Sequence, residues 1–157
     1  HRAIRSKLEA EGIRVLGQGV DGPPRRLVQS FSDNPKAVLL GTSSFWEGVD
    51  ITGGILKALV LARLPFNVPT EPLFAARSQL YEDPFKQYAI PQAVLRFRQG
   101  FGRLIRSAED RGVVVALDGR LLSRSYGGAF LKSIPSCTVK RLPLASIAAE
   151  ARAWLKG

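Results

Sequence analysis

Three short, largely apolar segments constrain the fold of this chain most strongly. They lie at residues 37–40, 56–64 and 112–117, and the last of them reads GVVVAL. Such runs suit strands that are buried on both faces, as in parallel sheets with helices on either side. Segments with helical patterns separate them along the chain. This alternation predicts a single α/β domain over residues 1–157, with three layers and a mostly parallel sheet in the middle.

The intervening segments have the lengths and breakers expected of helices and short strands. Helices are predicted at 2–11, 24–32, 71–81, 91–107, 123–134 and 144–155, and a short one begins near Phe45. Two further strands are predicted at 13–16 and 137–142. Ligands of such folds gather at the carboxyl ends of the strands. Candidate site residues are therefore those that follow the strands, at 41–50, 63–66 and 118–120.

The charge of the chain indicates a polyanionic partner. Lysine and arginine number 23 against 13 aspartates and glutamates, which gives a formal net charge of +10. A basic excess of this size attracts nucleic acid through the release of counterions. The alternative is a basic surface that only faces solvent.

The composition of the chain excludes several other kinds of protein and site. Hydrophobic residues make up 45% of the chain, which is ordinary for a globular protein, and no apolar run is long enough to cross a membrane. Cys137 is the only cysteine and His1 the only histidine, so an internal disulfide and a zinc site built from such residues are excluded. We expect no metal in this chain and a reducing, cytoplasmic location.

The predicted helix at 91–107 carries a basic row opposite an apolar face. At 100° per residue, five apolar side chains fall within an arc of about 100°. These are Val94, Phe97, Phe101, Leu104 and Ile105. The opposite side is formed by Arg96, Gln99, Arg103 and Arg106.

Two glycines, Gly100 and Gly102, stand in the middle of this helix. Each costs roughly 1 kcal/mol relative to alanine, which suggests that another backbone or a phosphate approaches closely. Arginine suits phosphoryl transfer, because its planar guanidinium donates to several phosphate oxygens and keeps its proton. The alternative is a basic amphipathic helix on the protein surface.

Several motifs occur in the order that one helicase family shows. The segment 99–106, QGFGRLIR, resembles the Q-x-x-G-R-x-x-R signature called motif VI in superfamily-two helicases. The segment 41–50, GTSSFWEGVD, is similar to motif V of the DinG and XPD branch. LPF at 64–66 and LDGRLL at 117–122 are similar to further stretches of the DinG type. The chain thus resembles the second, C-terminal RecA-like motor domain of a DinG/XPD-like, ATP-dependent DNA helicase.

The resemblance implies which residues meet ATP. Arg103 and Arg106 would face ATP that is bound on the other motor domain, with Arg106 as the arginine finger. Gln99 would sense the γ-phosphate or the attacking water. The residues expected near the nucleotide are Glu47, Gly48, Asp50 and Gly102.

The resemblance also implies contacts with DNA at the ends of two strands. The residues expected there are Thr42, Ser43, Ser44 and Phe66. Hydroxyls and N–H groups at a helix start form a ready anion site, which agrees with this role. The alternative is that Ser44 and Glu47 form a capping box, which needs no ligand. Asp118 and Arg120 are either functional or an ordinary ion pair at a strand end.

Two motifs of a complete ATPase are missing. The chain contains no G-x-x-x-x-G-K-[ST] segment and no Asp-Glu-Ala-His-type carboxylate pair. The resemblance therefore assigns ATP and Mg²⁺ mainly to a first motor domain, and an iron–sulfur cluster, where one exists, to the rest of the full protein and not to this chain. We expect a fragment that lacks the family's first strand and hydrolyses no ATP alone.

The leading hypothesis is that this chain is one part of a larger enzyme. The domain would supply the arginine finger and the contacts with single-stranded DNA for ATP-driven 5′-to-3′ unwinding in DNA repair and replication. Its partners would be single-stranded DNA and the N-terminal motor domain of the same protein, with no membrane. The alternative is a stand-alone basic nucleic-acid-binding module of RecA-like fold without an ATPase role. A third class is a phosphate-handling α/β enzyme that is complete in itself.

Overall fold

Helices alternate with parallel strands in the computed structural model, which describes residues 2–42, 45, 51, 55–105 and 110–156. The predicted α/β class and the parallel direction of the strands are confirmed. The chain divides into two compact units, His1–Ile55 and Leu56–Gly157. Each unit contains one pair of strands. The organisation as one domain over residues 1–157 stays a prediction.

The first unit has two helices and two strands: α1 (Arg2–Ala10), β1 (Arg14–Gly17), α2 (Pro24–Ser32) and β2 (Ala37–Leu40). The two strands are parallel, and Gly17 at the end of β1 lies opposite Leu40 at the end of β2. Helix α1 ends before Gly12, whose φ of 72° lies in the left-handed region that favours glycine. Leu27 and Phe31 lie one turn apart on α2, and both are buried.

The second unit begins with a strand and ends with a helix. Its elements are β3 (Ala58–Leu61), α3 (Pro72–Ser78), a π-helical turn (Phe85–Ala89), α4 (Ile90–Leu104), β4 (Val113–Ala116), α5 (Arg120–Ser123), α6 (Gly127–Ser133) and α7 (Leu144–Lys156). Strands β3 and β4 are parallel, with Leu61 opposite Ala116. Helix α4 packs against both strands and against α6. Phe130 of α6 has no exposed surface and meets Phe97 of α4 edge to face at 5.4 Å, so these rings form the centre of the core.

Several predicted elements differ from the structure. The helix predicted at 123–134 is divided into α5 and α6, because the chain turns so tightly that Gly127 lies against the carbonyl oxygen of Leu121. The strand predicted at 137–142 does not form, and its apolar Val139 and Leu142 are 56% and 37% exposed, so burial does not stabilise it. The helix predicted at 91–107 ends at Leu104, and Ile105 is extended.

Strand β3 is shorter and more exposed than predicted. It covers Ala58–Leu61 of the expected segment 56–64. Leu61 is buried, but Val60 on the opposite face is 58% exposed. Because successive side chains of a strand point to opposite faces, only one face of β3 is covered at this position. The prediction that this strand is buried on both faces is therefore wrong.

Candidate nucleic-acid and nucleotide interface

The carboxyl ends of β1 and β2 bring two polar residues together. Gln18 follows β1, and its N–H donates to the carbonyl oxygen of Leu40 at 2.9 Å. The side-chain oxygen of Gln18 accepts the peptide N–H of Thr42 at 2.9 Å and the Thr42 hydroxyl at 3.1 Å. We call Gln18 and Thr42 the first strand edge. It lies where parallel sheets place their ligands.

The loop that follows β1 is held by Asp21. Its carboxylate accepts the Gly17 N–H at 2.7 Å and forms an ion pair with Arg5 of α1. The Gly17 N–H, and after it the Arg5 guanidinium, lower the pKa of Asp21 below its usual value of 3.8 although desolvation opposes this. Gly19 has a φ of 74°, which allows the tight turn between Gly17 and Asp21. The loop that follows Gln18 is therefore held against α1 by the ion pair between Asp21 and Arg5.

The carboxyl ends of β3 and β4 are joined by Asp118. Its carboxylate accepts the peptide N–H of Leu64 at 2.8 Å and the peptide N–H of Arg120 at 3.0 Å. The Arg120 guanidinium donates to the same carboxylate, with a shortest distance of 2.6 Å. We call Leu64, Phe66, Asp118 and Arg120 the second strand edge. The predicted ion pair between Asp118 and Arg120 is present.

The electrostatics of this pair follow from its geometry. The Asp118 side chain is 8% exposed, and desolvation alone would raise its pKa. The hydrogen bond and charge of Arg120, together with the N–H of Leu64, outweigh this desolvation. They hold the pKa of Asp118 far below its usual range. Asp118 also raises the pKa of Arg120. The pair is therefore fully charged at neutral pH.

Phe66, a predicted DNA contact, belongs to an aromatic cluster. Its ring stacks on Phe85 at 5.8 Å and meets the edge of Tyr126 at 5.6 Å and the tilted ring of Phe130 at 6.0 Å. The guanidinium carbon of Arg120 lies 5.4 Å from its centroid, within cation–π range. The ring thus fixes the second strand edge to the core of its unit. Its contact with DNA stays a prediction.

Helix α4 has the apolar and polar faces that its pattern predicts. Phe97, Phe101 and Leu104 are buried, whereas Gln99 is exposed and Arg103 half-buried in the last turn. The helical position predicted for Ile105 is wrong, because the backbone is extended there. A β-carbon at Gly112, just before β4, would stand 2.6 Å from the Leu104 side chain, so a glycine leaves room for the helix end.

The two glycines of α4 differ in their surroundings. Gly100 is buried within its unit. Gly102 is exposed, and a β-carbon there would have no atom within 4 Å. Space for a phosphate or a backbone is therefore present beside Gly102.

Several predicted site residues lie outside the described residues. They are Ser43, Ser44, Glu47, Gly48, Asp50 and Arg106. Among the described side chains, no group of three or more His, Cys, Asp or Glu is arranged to hold a metal ion. Within the same ranges, no helix is long and apolar enough to cross a membrane.

The fold and the motifs place the chain in a known class. Residues 1–137 match the family described as the helicase C-terminal domain, and the chain belongs to this family. The resemblance inferred from the segments 41–50 and 99–106 is thereby confirmed, and so is the RecA-like α/β class.

Curated relatives make the relationship more specific. The chain is 42% identical over 147 residues to the 3′-5′ exonuclease DinG of Bacillus subtilis, which covers 90% of this chain and 16% of that protein. It is 46% identical over 127 residues to the ATP-dependent DNA helicase YoaA of Escherichia coli, covering 78% and 20%. The corresponding YoaA of Haemophilus influenzae is 43% identical over 137 residues, covering 85% and 21%. The chain thus spans about a fifth or less of the length of these relatives.

Proposed function

We propose that this chain is the second motor domain of an ATP-dependent DNA helicase, and that ATP binds between it and a first motor domain. Its family and the YoaA relatives support this assignment. The net charge of +10 supports a nucleic-acid partner. The observation that carries the proposal is α4, in which a buried apolar face leaves Gln99 exposed on the opposite side and Arg103 in the last turn.

On the nucleotide side, Arg103 and Arg106 would neutralise the charge that develops on the γ-phosphate, with Arg106 as the finger. Gln99 would orient the attacking water or sense the γ-phosphate. An arginine supplied from a neighbouring domain is worth about 10³ to 10⁵ in rate. Glu47, Gly48, Asp50 and Gly102 would lie near the nucleotide. Mg²⁺ and most of the ATP contacts would belong to the first motor domain, so no residue of this chain is assigned to the metal.

On the DNA side, the single-stranded DNA would run along the carboxyl ends of the β-strands. Thr42, Ser43 and Ser44 after β2 and Phe66 after β3 would contact single-stranded DNA. Closure of the two motor domains on ATP, and their opening when the nucleotide is released, would then move the DNA strand. The movement would have the 5′-to-3′ polarity of the DinG type and would serve repair and replication in the cytoplasm. An iron–sulfur cluster, if the full protein has one, would lie outside this chain.

Substitution of the two arginines tests the proposal. In the full-length protein, Arg103→Ala and Arg106→Ala should each lower DNA-stimulated ATP hydrolysis by at least about 10³-fold while DNA affinity stays close to wild type. Arg98→Ala is the matched control, because Arg98 is an exposed arginine on the same helix but off the predicted row. Normal hydrolysis with a uniform loss of DNA binding would instead favour the stand-alone nucleic-acid-binding module.

The isolated chain provides a second test. It has no G-x-x-x-x-G-K-[ST] segment to hold the phosphates, so we expect ATP hydrolysis no faster than in buffer alone. Addition of the first motor domain should restore hydrolysis. Turnover by the isolated chain would show that it is a complete enzyme and that the proposed division between two domains is wrong.

A further inference from the structure

The end of α4 and the start of β4 lie against each other. Leu104, the last residue of α4, is 4% exposed. A β-carbon at Gly112 would stand 2.6 Å from the Leu104 side chain, so the backbone of Gly112 packs directly on it. The next residue, Val113, donates its N–H to the carbonyl oxygen of Lys57 at 3.0 Å, which begins the pairing of β4 with β3. Residues 105–111 therefore connect two points that are fixed side by side, and we call them the connecting segment.

The far end of the connecting segment has a second contact. Its last residue is Arg111, whose guanidinium carbon lies 5.7 Å from the centroid of the Trp154 ring, within cation–π range. Arg106, the residue proposed as the arginine finger, belongs to the same segment and lies outside the described residues. Arg111 stands in the sequence between Arg106 and the fixed Gly112. The Trp154 ring thus restrains the segment on the side of Arg106 that leads to β4.

Helix α7 holds the Trp154 ring in this place. The helix packs against β4, and Ile147 and Ala151 are half-buried. Trp154 follows them on the same face, because residues three and four apart on a helix are neighbours. The ring is still 49% exposed, so it is not a core residue. Helix α7 also lies beyond residues 1–137, which match the helicase C-terminal family, so the motifs of that family assign it no role.

We infer that Trp154 is a positioning residue for ATP hydrolysis: its ring holds Arg111 and thereby fixes the far end of the segment that carries Arg106. The inference rests on the proposed function, which makes Arg106 the arginine finger. A finger stabilises the transition state only where its geometry is held, and a small misplacement of such a group lowers the rate. Trp154 itself touches neither nucleotide nor DNA in this account.

Substitutions on both sides of the contact test the inference in the full-length protein. Trp154→Leu removes the ring but keeps an apolar side chain, and Trp154→Phe keeps a ring with a weaker attraction for cations. Arg111→Gln removes the charge. Leu155→Ala and Arg152→Gln are the matched controls, because both are exposed residues of α7 next to Trp154 or within a turn of it. Thermal unfolding by circular dichroism establishes that each variant is folded.

The measurement is DNA-stimulated ATP hydrolysis, resolved into kcat and the KM for ATP. Trp154→Leu and Arg111→Gln should each lower kcat about two- to fivefold, the factor that an exposed cation–π contact supplies. The KM for ATP should stay close to wild type, because only transition-state stabilisation is lost. The double variant should be no slower than the slower single variant, since both changes remove one contact. Trp154→Phe should lie between wild type and Trp154→Leu, and the controls should keep the wild-type kcat.

A wild-type kcat in Trp154→Leu, together with a lower melting temperature, would overturn the inference, because the ring would then only hold α7 on β4. Losses that multiply in the double variant, or a raised KM with unchanged kcat, would also overturn it. Arg106→Ala, measured in parallel, separates this inference from the proposed function. Normal hydrolysis by Arg106→Ala would refute the proposed function and the inference with it, whereas impaired Arg106→Ala beside normal Trp154→Leu would refute the inference alone.

Discussion

Substitution of Gly127 by alanine tests the packing that divides the predicted helix at 123–134. A β-carbon at Gly127 would stand 2.0 Å from the carbonyl oxygen of Leu121 and 2.7 Å from its carbonyl carbon. Both are backbone atoms, so no side-chain rotation relieves the clash. The oxygen would have to retreat to at least 3.0 Å, a shift of about 1 Å between α5 and α6. The neighbouring Gly128 lies in the same helix, is exposed and has no atom within 4 Å of its β-carbon position.

The two substitutions should therefore change stability in opposite directions. Overpacking of this kind costs roughly 1–3 kcal/mol, and the helical preference of alanine offsets up to about 1 kcal/mol of it. We expect Gly127→Ala to lower the free energy of unfolding by roughly 1–2 kcal/mol. Gly128→Ala should raise it by up to about 1 kcal/mol, because it restricts the unfolded chain without a clash. At roughly 2–4 °C per kcal/mol, the two melting temperatures should differ by several degrees.

Thermal unfolding of both variants by circular dichroism at neutral pH measures this difference. The effect should reach α4 as well, because Phe130 of α6 packs on Phe97 of α4, the helix that carries Arg103. In the full-length protein, Gly127→Ala should therefore also lower ATP hydrolysis, and Gly128→Ala should not. A Gly127→Ala variant that melts at or above Gly128→Ala would refute the close contact with Leu121.

Two further predictions concern the second unit. Asp118→Asn keeps an oxygen for the Leu64 N–H but loses the ion pair with Arg120. Because the pKa of Asp118 is lowered in the folded state, its carboxylate stabilises the fold above the ordinary aspartate value of 3.8, and this contribution is lost as the pH falls through the folded-state pKa. The melting temperature of wild type should exceed that of Asp118→Asn at neutral pH and approach it in strong acid; a gap independent of pH would contradict the charged pair. Phe130→Ala removes a ring with no exposed surface and should cost roughly 3–5 kcal/mol by denaturant unfolding. Phe85→Ala, at a ring that is 49% exposed, should cost clearly less, and equal losses would argue against Phe130 as the centre of the core.

The local elements of the fold follow closely from the sequence. Helix α2 and strand β2 have the predicted bounds, and Phe97, Phe101 and Leu104 are buried as the helical period of α4 requires. The period of a helix or strand is a property of a few consecutive residues, so it can be read without knowledge of the rest of the chain. The helicase family was also predicted, because its motifs are short, ordered stretches of sequence.

The failures occur where the packing of the folded chain does not support the local pattern. The segment 123–134 has a helical pattern throughout, but the contact between Gly127 and Leu121 interrupts it. The segment 137–142 is predicted as a short strand, but it buries neither Val139 nor Leu142 and forms none. Packing, or its absence, thus decided whether these elements form and where they end.

The sequence by itself determined the alternation of helices with strands, the apolar face of α4 and the excess of positive charge, because each depends only on the order and type of neighbouring residues. Only the tertiary structure decided which distant groups meet. Asp118 accepts the N–H of Leu64, 54 positions away, and Gln18 holds Thr42, 24 positions away. These contacts exist because parallel pairing brings the carboxyl ends of two strands to the same edge, and that pairing depends on the packing of each whole unit.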